Sequence, residues 1–326
     1  MVKIINIDKQ SGIPLIGLIY AGIVDRGTNL LQVRPSTLCN MNCVYCSTNS
    51  NNQKIHPYEF QVDKDYLIEY VKKAVVFKGP GVEANIDSVG EPLMYPQIIE
   101  LVKEINNIEG ISMISMQTNG VMLTKKMVDD LENAGLKRIN LSVNTFDNEL
   151  AKKLSGCEIY NIEKIKQMIE YINNSKIELL LAPVWIDGVN DKDIISMIKY
   201  AKKNNIRLGI QKYEVYKHSR KIKGVKPITF WKFFEKLKTL EKEYKMNLIL
   251  TAKDLGIEKR ESFPEKFNKG EKIKAKVLAP GWWKGQSICV SRNRAISIVD
   301  YKTPIGKQAN LKIINTKNNL YLAKEV

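Results

Sequence analysis

The sequence predicts an α/β chain: a partial (β/α)6 barrel followed by a small all-β OB-like barrel. Three observations carry this prediction. Short apolar runs alternate six times with amphipathic stretches between residues 30 and 244, a rhythm that gives a parallel sheet with helices outside it, joined by right-handed crossovers. Cys39, Cys43 and Cys46 stand just past the first apolar run, where parallel barrels gather their chemistry. Beyond Tyr244 the rhythm stops, and Ser262 to Val326 hold thirteen Lys/Arg against four Asp/Glu.

The first strand is Leu30 to Val33. Asp65 to Phe77 then sets Tyr66, Leu67, Tyr70, Val71, Ala74 and Val75 at helical spacing, and Gly79 ends that helix. Ala84 to Ser88 reads as a strand, Gln97 to Asn106 as a helix with Ile98, Ile99, Val102 and Ile105 on one face, and Ile111 to Gln117 as the next strand. Thr124 caps a helix that Gly135 closes. Arg138 to Val143 is a strand and Ile162 to Ile172 a helix. Ile177 to Val184 is almost unbroken in its apolar character, as in a strand buried on both faces. Asp191 to Lys203 (helix), Arg207 to Tyr213 (strand) and Thr229 to Tyr244 (helix) complete six units. Eight would close a barrel, so one side stays open as an entrance for a large substrate.

Lys272 to Leu278, Gln286 to Val290, Ala295 to Val299 and Ala309 to Ile314 read as short strands. Pro280-Gly281, Asn293 and Pro304 mark the turns between them, and Asn318 to Ala323 adds a fifth strand. A basic five-stranded module is the kind of barrel that serves as a platform for single-stranded nucleic acid. The expected organisation is residues 1–255, a linker at 256–262, and the barrel at 263–326.

At 326 residues and 44% apolar composition the chain can bury a large core, which excludes wholesale disorder. Its formal charge of +16 points to an anionic partner, most often nucleic acid. Cys157 and Cys289 lie far from the triplet, a pattern unlike a secreted disulfide scaffold and suited to a reducing compartment. The apolar stretch Ile13 to Val24 is interrupted by Pro14, Gly17 and Gly22, too short and broken to cross a bilayer. A cytoplasmic protein with no membrane partner is expected.

Three neighbouring thiolates can hold an iron–sulfur cluster, but a [4Fe–4S] cube takes four ligands, so one iron is left for a ligand that is not protein. The C-x3-C-x2-C triplet, with Tyr45 before its last cysteine and the six-unit repeat behind it, resembles the radical S-adenosylmethionine (SAM) superfamily over residues 28 to 250. The resemblance implies that SAM chelates the fourth iron. An electron from the reduced cluster, supplied by a donor such as ferredoxin or flavodoxin, then cleaves SAM to a 5′-deoxyadenosyl radical, which does the chemistry in place of a catalytic side chain.

It also implies residue roles. Tyr45 lies against the adenine. Ser88-Val89-Gly90-Glu91-Pro92 resembles the family's Gly-Gly-Glu-Pro motif, in which Glu91 orients the methionyl amino group and Gly90 lets SAM approach; Val89 departs from the first glycine. Asn119, Ser142 and Asn144 match positions that bind the carboxylate and ribose, and Val184 and Trp185 frame the adenine. Gln211 and Lys212 face SAM or substrate.

The terminal module resembles a TRAM domain, the small RNA-binding barrel of some tRNA- and rRNA-modifying enzymes. None of the residues before Cys39 is cysteine, so the methylthiotransferase subgroup is not matched, and the whole chain is similar to compact archaeal radical SAM proteins. The expected function is therefore modification of a tRNA or rRNA nucleotide. Lys217 and Arg220 are candidate phosphate contacts or, equally, part of a solvated basic loop. Lys284, Arg292 and Arg294 join Trp282 and Trp283 as candidate RNA contacts; neighbours on a strand point to opposite faces, so one Trp either stacks on a base or packs against the catalytic domain. Two alternatives are a radical SAM enzyme of peptides or small metabolites, with the barrel serving assembly, and a non-catalytic metal-containing nucleic-acid-binding protein. Cys157 and Cys289 read as small buried hydrophobes, and His56 and His218 as incidental.

Overall fold

The computed structural model of the chain describes residues 2–326. Two compact units divide it, each drawn from segments distant in sequence. The first joins Met1–Asn40, Asn51–Ile114 and Glu258–Val326; the second joins Met41–Ser50 and Ser115–Ile257. The divide falls inside the cysteine triplet, leaving Cys39 with the first unit and Cys43 and Cys46 with the second.

In the first unit β1 (Lys3–Ile7), β2 (Gly22–Asp25), β3 (Leu30–Arg34) and β4 (Tyr58–Val62) precede α1 (Lys64–Lys78), β5 (Val82–Ile86) and α2 (Ile98–Asn106). β3 and β5 pair in parallel, β2 adds an antiparallel edge to β3, and β1 pairs separately with β4. α1 forms where its apolar spacing predicts. Asp63 caps it by accepting from Tyr66 N at 2.9 Å, and Gly79 ends it at φ 76°. Its last residue, Lys78, is buried against Asp25 at 2.7 Å, and Asp25 Oδ2 also accepts from Phe263 N. β1, β2 and β4 were not read from the sequence; they are short and mixed in polarity, so their partners rather than their pattern make them strands.

β6 (Ile111–Thr118) runs from the first unit into the second. There α3 (Lys125–Ala134), β7 (Arg138–Leu141), α4 (Asn148–Ser155), α5 (Ile162–Asn173), β8 (Glu178–Leu181), β9 (Val184–Trp185), α6 (Asp191–Lys203), β10 (Arg207–Leu208), β11 (Gln211–Lys212) and α7 (Phe230–Tyr244) follow. β6, β7, β8 and β10 pair in parallel, and β9 pairs with β11. Thr124 and Gly135 bound α3 as the sequence predicts. The expected strands at 177–184 and 207–213 are each broken in two. Pro183, which has no N–H to donate, separates β8 from β9, and Gly209 lies between β10 and β11. β3, β5, β6, β7, β8 and β10 are the six parallel strands that the repeat predicts.

The terminal module is a closed barrel of β12 (Lys272–Pro280), β13 (Gln286–Ser291), β14 (Arg294–Val299), β15 (Gln308–Asn315) and β16 (Leu322–Glu325), in the order β12-β13-β14-β16-β15. All pairs are antiparallel except β14 with β16. Ile273, Val277, Cys289, Ile296, Ile298, Leu311 and Ile313 fill it. The fifth strand starts later than expected because Asn318 and Asn319 both take left-handed backbone, at φ 59° and 56°.

The barrel shares its unit with the N-terminal segment. Ala295 N donates to Ile16 O at 3.0 Å and Tyr321 N to Gly17 O at 3.3 Å. A Cβ on Gly17 would stand 1.9 Å from Ala295 O, so only glycine permits this approach. The compact units thus cut the chain differently from the linear order of 1–255, 256–262 and 263–326.

Candidate metal centre

In the first unit, β3 leads into Ser36-Thr37-Leu38-Cys39, and the loop after β5 folds back over that segment. Glu91 N donates to Leu38 O at 2.7 Å, Ser88 Oγ to Ser36 O, and Gly90 N to Ser88 Oγ at 2.9 Å. A Cβ on Gly90 would lie 2.1 Å from Leu38 O, so the glycine is required by backbone passing over backbone, whatever else approaches it. Glu91 is buried and its Oε1 accepts from Leu93 N at 3.0 Å, capping the turn Pro92–Met94. Beneath this loop Arg34 holds Asp87 in a two-pronged pair, both contacts 2.9 Å, the planar geometry that suits a carboxylate.

In the second unit the segment Met41–Ser50 is held from two sides. Against the end of α4, Asn42 N donates to Ser155 O and Val44 N to Leu154 O, both at 3.0 Å. Gly156, at φ 58°, closes α4, and a Cβ there would stand 2.3 Å from Asn42 O. From the other side comes the loop after β11. Arg220 N donates to Cys46 O at 2.9 Å, while its guanidinium donates to Cys43 O (3.2 Å), Asn42 Oδ1 (3.1 Å) and Ser50 O (2.6 Å). Ser219 Oγ adds a bond to Ser47 O at 2.8 Å. Arg220, expected on phosphate, is instead committed to the cysteine loop.

Tyr45 and Asn144, apart in sequence, are brought together: the Asn144 amide donates to the Tyr45 hydroxyl, and its Oδ1 accepts from Val184 N at 2.7 Å. Asn190, which sequence reasoning missed, locks this corner by donating to Asn144 O (2.9 Å) and Val184 O (3.0 Å). Burial, then the neighbouring Cys43, pushes the Tyr45 hydroxyl well up, so it stays neutral. Ser142 accepts from Gln117 Nε2 at 3.0 Å, and Asn119 Oδ1 from Val121 N at 3.0 Å.

Trp185 has partners of its own. It is buried, its indole N–H donates to Asp191 at 2.8 Å, and Lys236 stands over its ring. Its expected place on an adenine is therefore corrected to a packing role, because adjacent strand residues point to opposite faces. Lys212 lies over the Phe230 ring with Glu214 3.4 Å away, whereas Gln211 and Lys217 are exposed.

Two of the expected RNA contacts of the barrel, Trp282 and Arg294, need correction too. Trp282 is wholly buried, stacked on His56 at 3.9 Å, with its indole N–H on Glu59 at 3.2 Å. It cannot stack on a base, and His56 is a packing partner rather than incidental. Trp283 is half-buried beside Tyr20, and Lys284 is exposed with its N–H on Ile55 O. Arg294 is buried and donates to Asn293 O and Pro264 O, while Arg292 pairs with Glu271 at 2.7 Å.

Cys39, Cys43 and Cys46 are half-buried and in no disulfide. Burial, and next the nearby Cys46, pushes the Cys43 thiol up to about 11. A buried thiol such as Cys43, raised in this way, suits a cationic metal, whose charge stabilises the thiolate. No three His, Cys, Asp or Glu side chains among the described residues are grouped to hold a single ion; a cluster carrying one thiolate per iron asks for a wider arrangement. Cys289, by contrast, lies in the barrel core, its thiol pushed up to about 12 by burial.

The sequence matches the Radical SAM superfamily over residues 33–201, more than half of the chain. An uncharacterized protein of Methanocaldococcus jannaschii is 40% identical, the match covering 96% of this chain and 79% of that protein. The GTP 3',8-cyclase of Clostridium perfringens is 29% identical over 61% of this chain and 60% of its own length. Streptococcus suis SuiB bound to S-adenosylmethionine shares the fold at a TM-score of 0.51, with 19% identity over 74% of this chain and 51% of that one. This chain thus spans about half of the solved chain and three fifths of the cyclase. The chain belongs to the radical SAM superfamily, whose cofactors are a [4Fe–4S] cluster and SAM, and no helix among its described residues is long and apolar enough to cross a membrane.

Proposed function

We propose that this radical SAM enzyme modifies RNA, at a nucleotide of tRNA or rRNA. One observation carries the reading. A closed barrel of the type used for oligonucleotides holds most of the residues from Ser262 to Val326, a stretch with thirteen basic against four acidic side chains.

The thiolates of Cys39, Cys43 and Cys46 hold the cluster, and Arg220 and Gly156 hold the loop that presents two of them. Once bound and reduced by a ferredoxin- or flavodoxin-type donor, the cluster would supply one electron to SAM. Glu91 offers its buried carboxylate to the methionyl ammonium, a pairing that low-dielectric surroundings strengthen. Asn119, Ser142 and Asn144 present amides and a hydroxyl to the carboxylate and ribose of SAM. Tyr45 and Val184, joined through Asn144, flank the adenine. A duplex hides its reactive atoms, so the target base is single-stranded or flipped.

A second reading, a peptide or small-metabolite substrate with the barrel serving assembly, is favoured by the burial of Trp282 against His56 and Glu59. The likeness to a GTP 3',8-cyclase also leans towards a free nucleotide. Nucleosides from cells with and without the gene, compared by mass spectrometry, separate the two. A modified nucleoside lost from tRNA or rRNA in the deletion strain supports the RNA reading. Identical profiles, together with 5′-deoxyadenosine formation by the reconstituted enzyme on a small substrate, overturn it.

A further inference from the structure

The barrel loops that serve ligands in OB-type barrels, the turn after its first strand and the one before its last, are here turned inward on the protein's own N-terminal segment. Trp282 in the first is buried against His56 and Glu59, and Tyr321 after the second bonds Gly17 O. The opposite outer surface is different. On β12, Lys272, Lys274 and Lys276 are all exposed while Ile273, Ala275 and Val277 are buried, so the three lysines share one face. Lys312 on β15 and Lys324 on β16 are exposed as well.

The register makes this a grid. Lys272 stands directly across from Lys312, and Lys312 directly across from Lys324, so three ammonium groups lie in one row over three adjacent strands. Like charges directly opposite destabilise a sheet. Two of the module's four carboxylates have other partners: Glu271 is held by Arg292 and Asn268 N, and Glu325 by Thr303 and Lys302 N. The other outward residues of β15 in this register are Gln308 and Asn310, opposite Lys276 and Lys274. A protein-binding face would carry an apolar or aromatic centre; the outward residues of β12 and β15 in this register are cations and amides, with Val326 exposed beside Asn310.

We propose that the lysine grid on β12, β15 and β16, not the loop of Trp282, is the RNA-docking surface, gripping the phosphate backbone without reading bases. The inference rests on the RNA reading above and changes where and how the RNA is held. Phosphate-only contact positions a strand and leaves selection of the base to the radical site.

The test is fluorescence anisotropy of labelled bulk tRNA with the full-length protein, titrated across salt. Wild type is compared with Lys272→Gln/Lys312→Gln/Lys324→Gln and with a charge-matched control, Lys103→Gln/Lys192→Gln/Lys203→Gln. Each lost phosphate contact lowers the slope of log K against log salt by about 0.7 for single strands, so the grid variant should lose about 2 in slope and the control far less. Circular dichroism of the grid variant should match wild type, since all three side chains are exposed. Equal losses in the two variants, or an unchanged grid variant, overturn the docking surface while leaving the RNA reading intact. Absence of tRNA binding by wild type overturns the reading itself, and binding to phosphatidylserine vesicles without tRNA binding overturns both.

Discussion

Arg220 should decide how firmly the protein keeps its iron. Arg220→Met keeps the aliphatic stem but removes the guanidinium donors to Cys43 O, Asn42 Oδ1 and Ser50 O. The backbone bond to Cys46 O remains. Hydrogen bonds from a charged donor contribute about 1.5–3 kcal/mol each when buried. This side chain is half exposed and two of the three contacts exceed 3 Å, so screening reduces the total to about 2 kcal/mol for the set. That is roughly a 30-fold loss in the population of the ordered loop at 1.4 kcal/mol per tenfold. The assay is iron loss from the reconstituted protein to a chelator under anaerobic conditions, followed by the visible absorbance of the cluster. Arg220→Met should lose iron roughly 30-fold faster, with Arg220→Lys intermediate because it keeps the charge without the planar fork. Iron loss at the wild-type rate from Arg220→Met would refute the clasp. If Arg220→Lys behaved as wild type, charge alone would suffice and the hydrogen-bond geometry would be irrelevant.

Replacing Cys43 with Ala should abolish both the cluster and 5′-deoxyadenosine formation with dithionite and SAM; a variant that kept both would sink the assignment of the triplet. Gly90→Ala drives a Cβ to 2.1 Å from Leu38 O; overpacking of this kind costs about 1–3 kcal/mol, and the loss should appear as a lower melting temperature even before iron is added. Burial raises the Glu59 carboxyl above its ordinary 4.5, against the opposing hydrogen bonds of Thr37 and Trp282. The folded state therefore holds a proton longer than the unfolded state, so stability is greatest below the ordinary value and falls as pH rises through the raised one. Glu59→Gln should flatten that fall in pH-dependent denaturant titrations, and an unchanged profile would remove Glu59 as its source. Removing the like-charge row by Lys312→Gln should raise barrel stability at low salt by a few tenths of a kcal/mol, about 0.2–1 at most, and the gain should vanish at high salt.

The strand–helix rhythm was legible because each unit satisfies itself locally. Apolar spacing and caps such as Asp63, Thr124 and Gly135 act within a turn of the residues they organise. The short strands β1, β2 and β4 were not legible, because partners far along the chain make them. Trp282 misled for a related reason. Alternation says that one of two adjacent Trp side chains faces outward from the barrel, but not whether the N-terminal segment covers it there. Trp185 and Arg220 were read as ligand contacts from their place after strands, yet Asp191 and the cysteine loop claim them.

The sequence by itself determined the strand–helix repeat and the places of the residues on it: three closely spaced thiols after the first strand and a glutamate after the second. Those properties follow from residue type and local spacing. Tertiary structure decided how the pieces are held. It set Arg220 and Gly156 around the cysteine loop, laid Gly90 over the Leu38 carbonyl, turned Trp282 inward, and aligned Lys272, Lys312 and Lys324 across three strands. Each of these depends on strand register or on a close approach between distant segments, which no local pattern encodes.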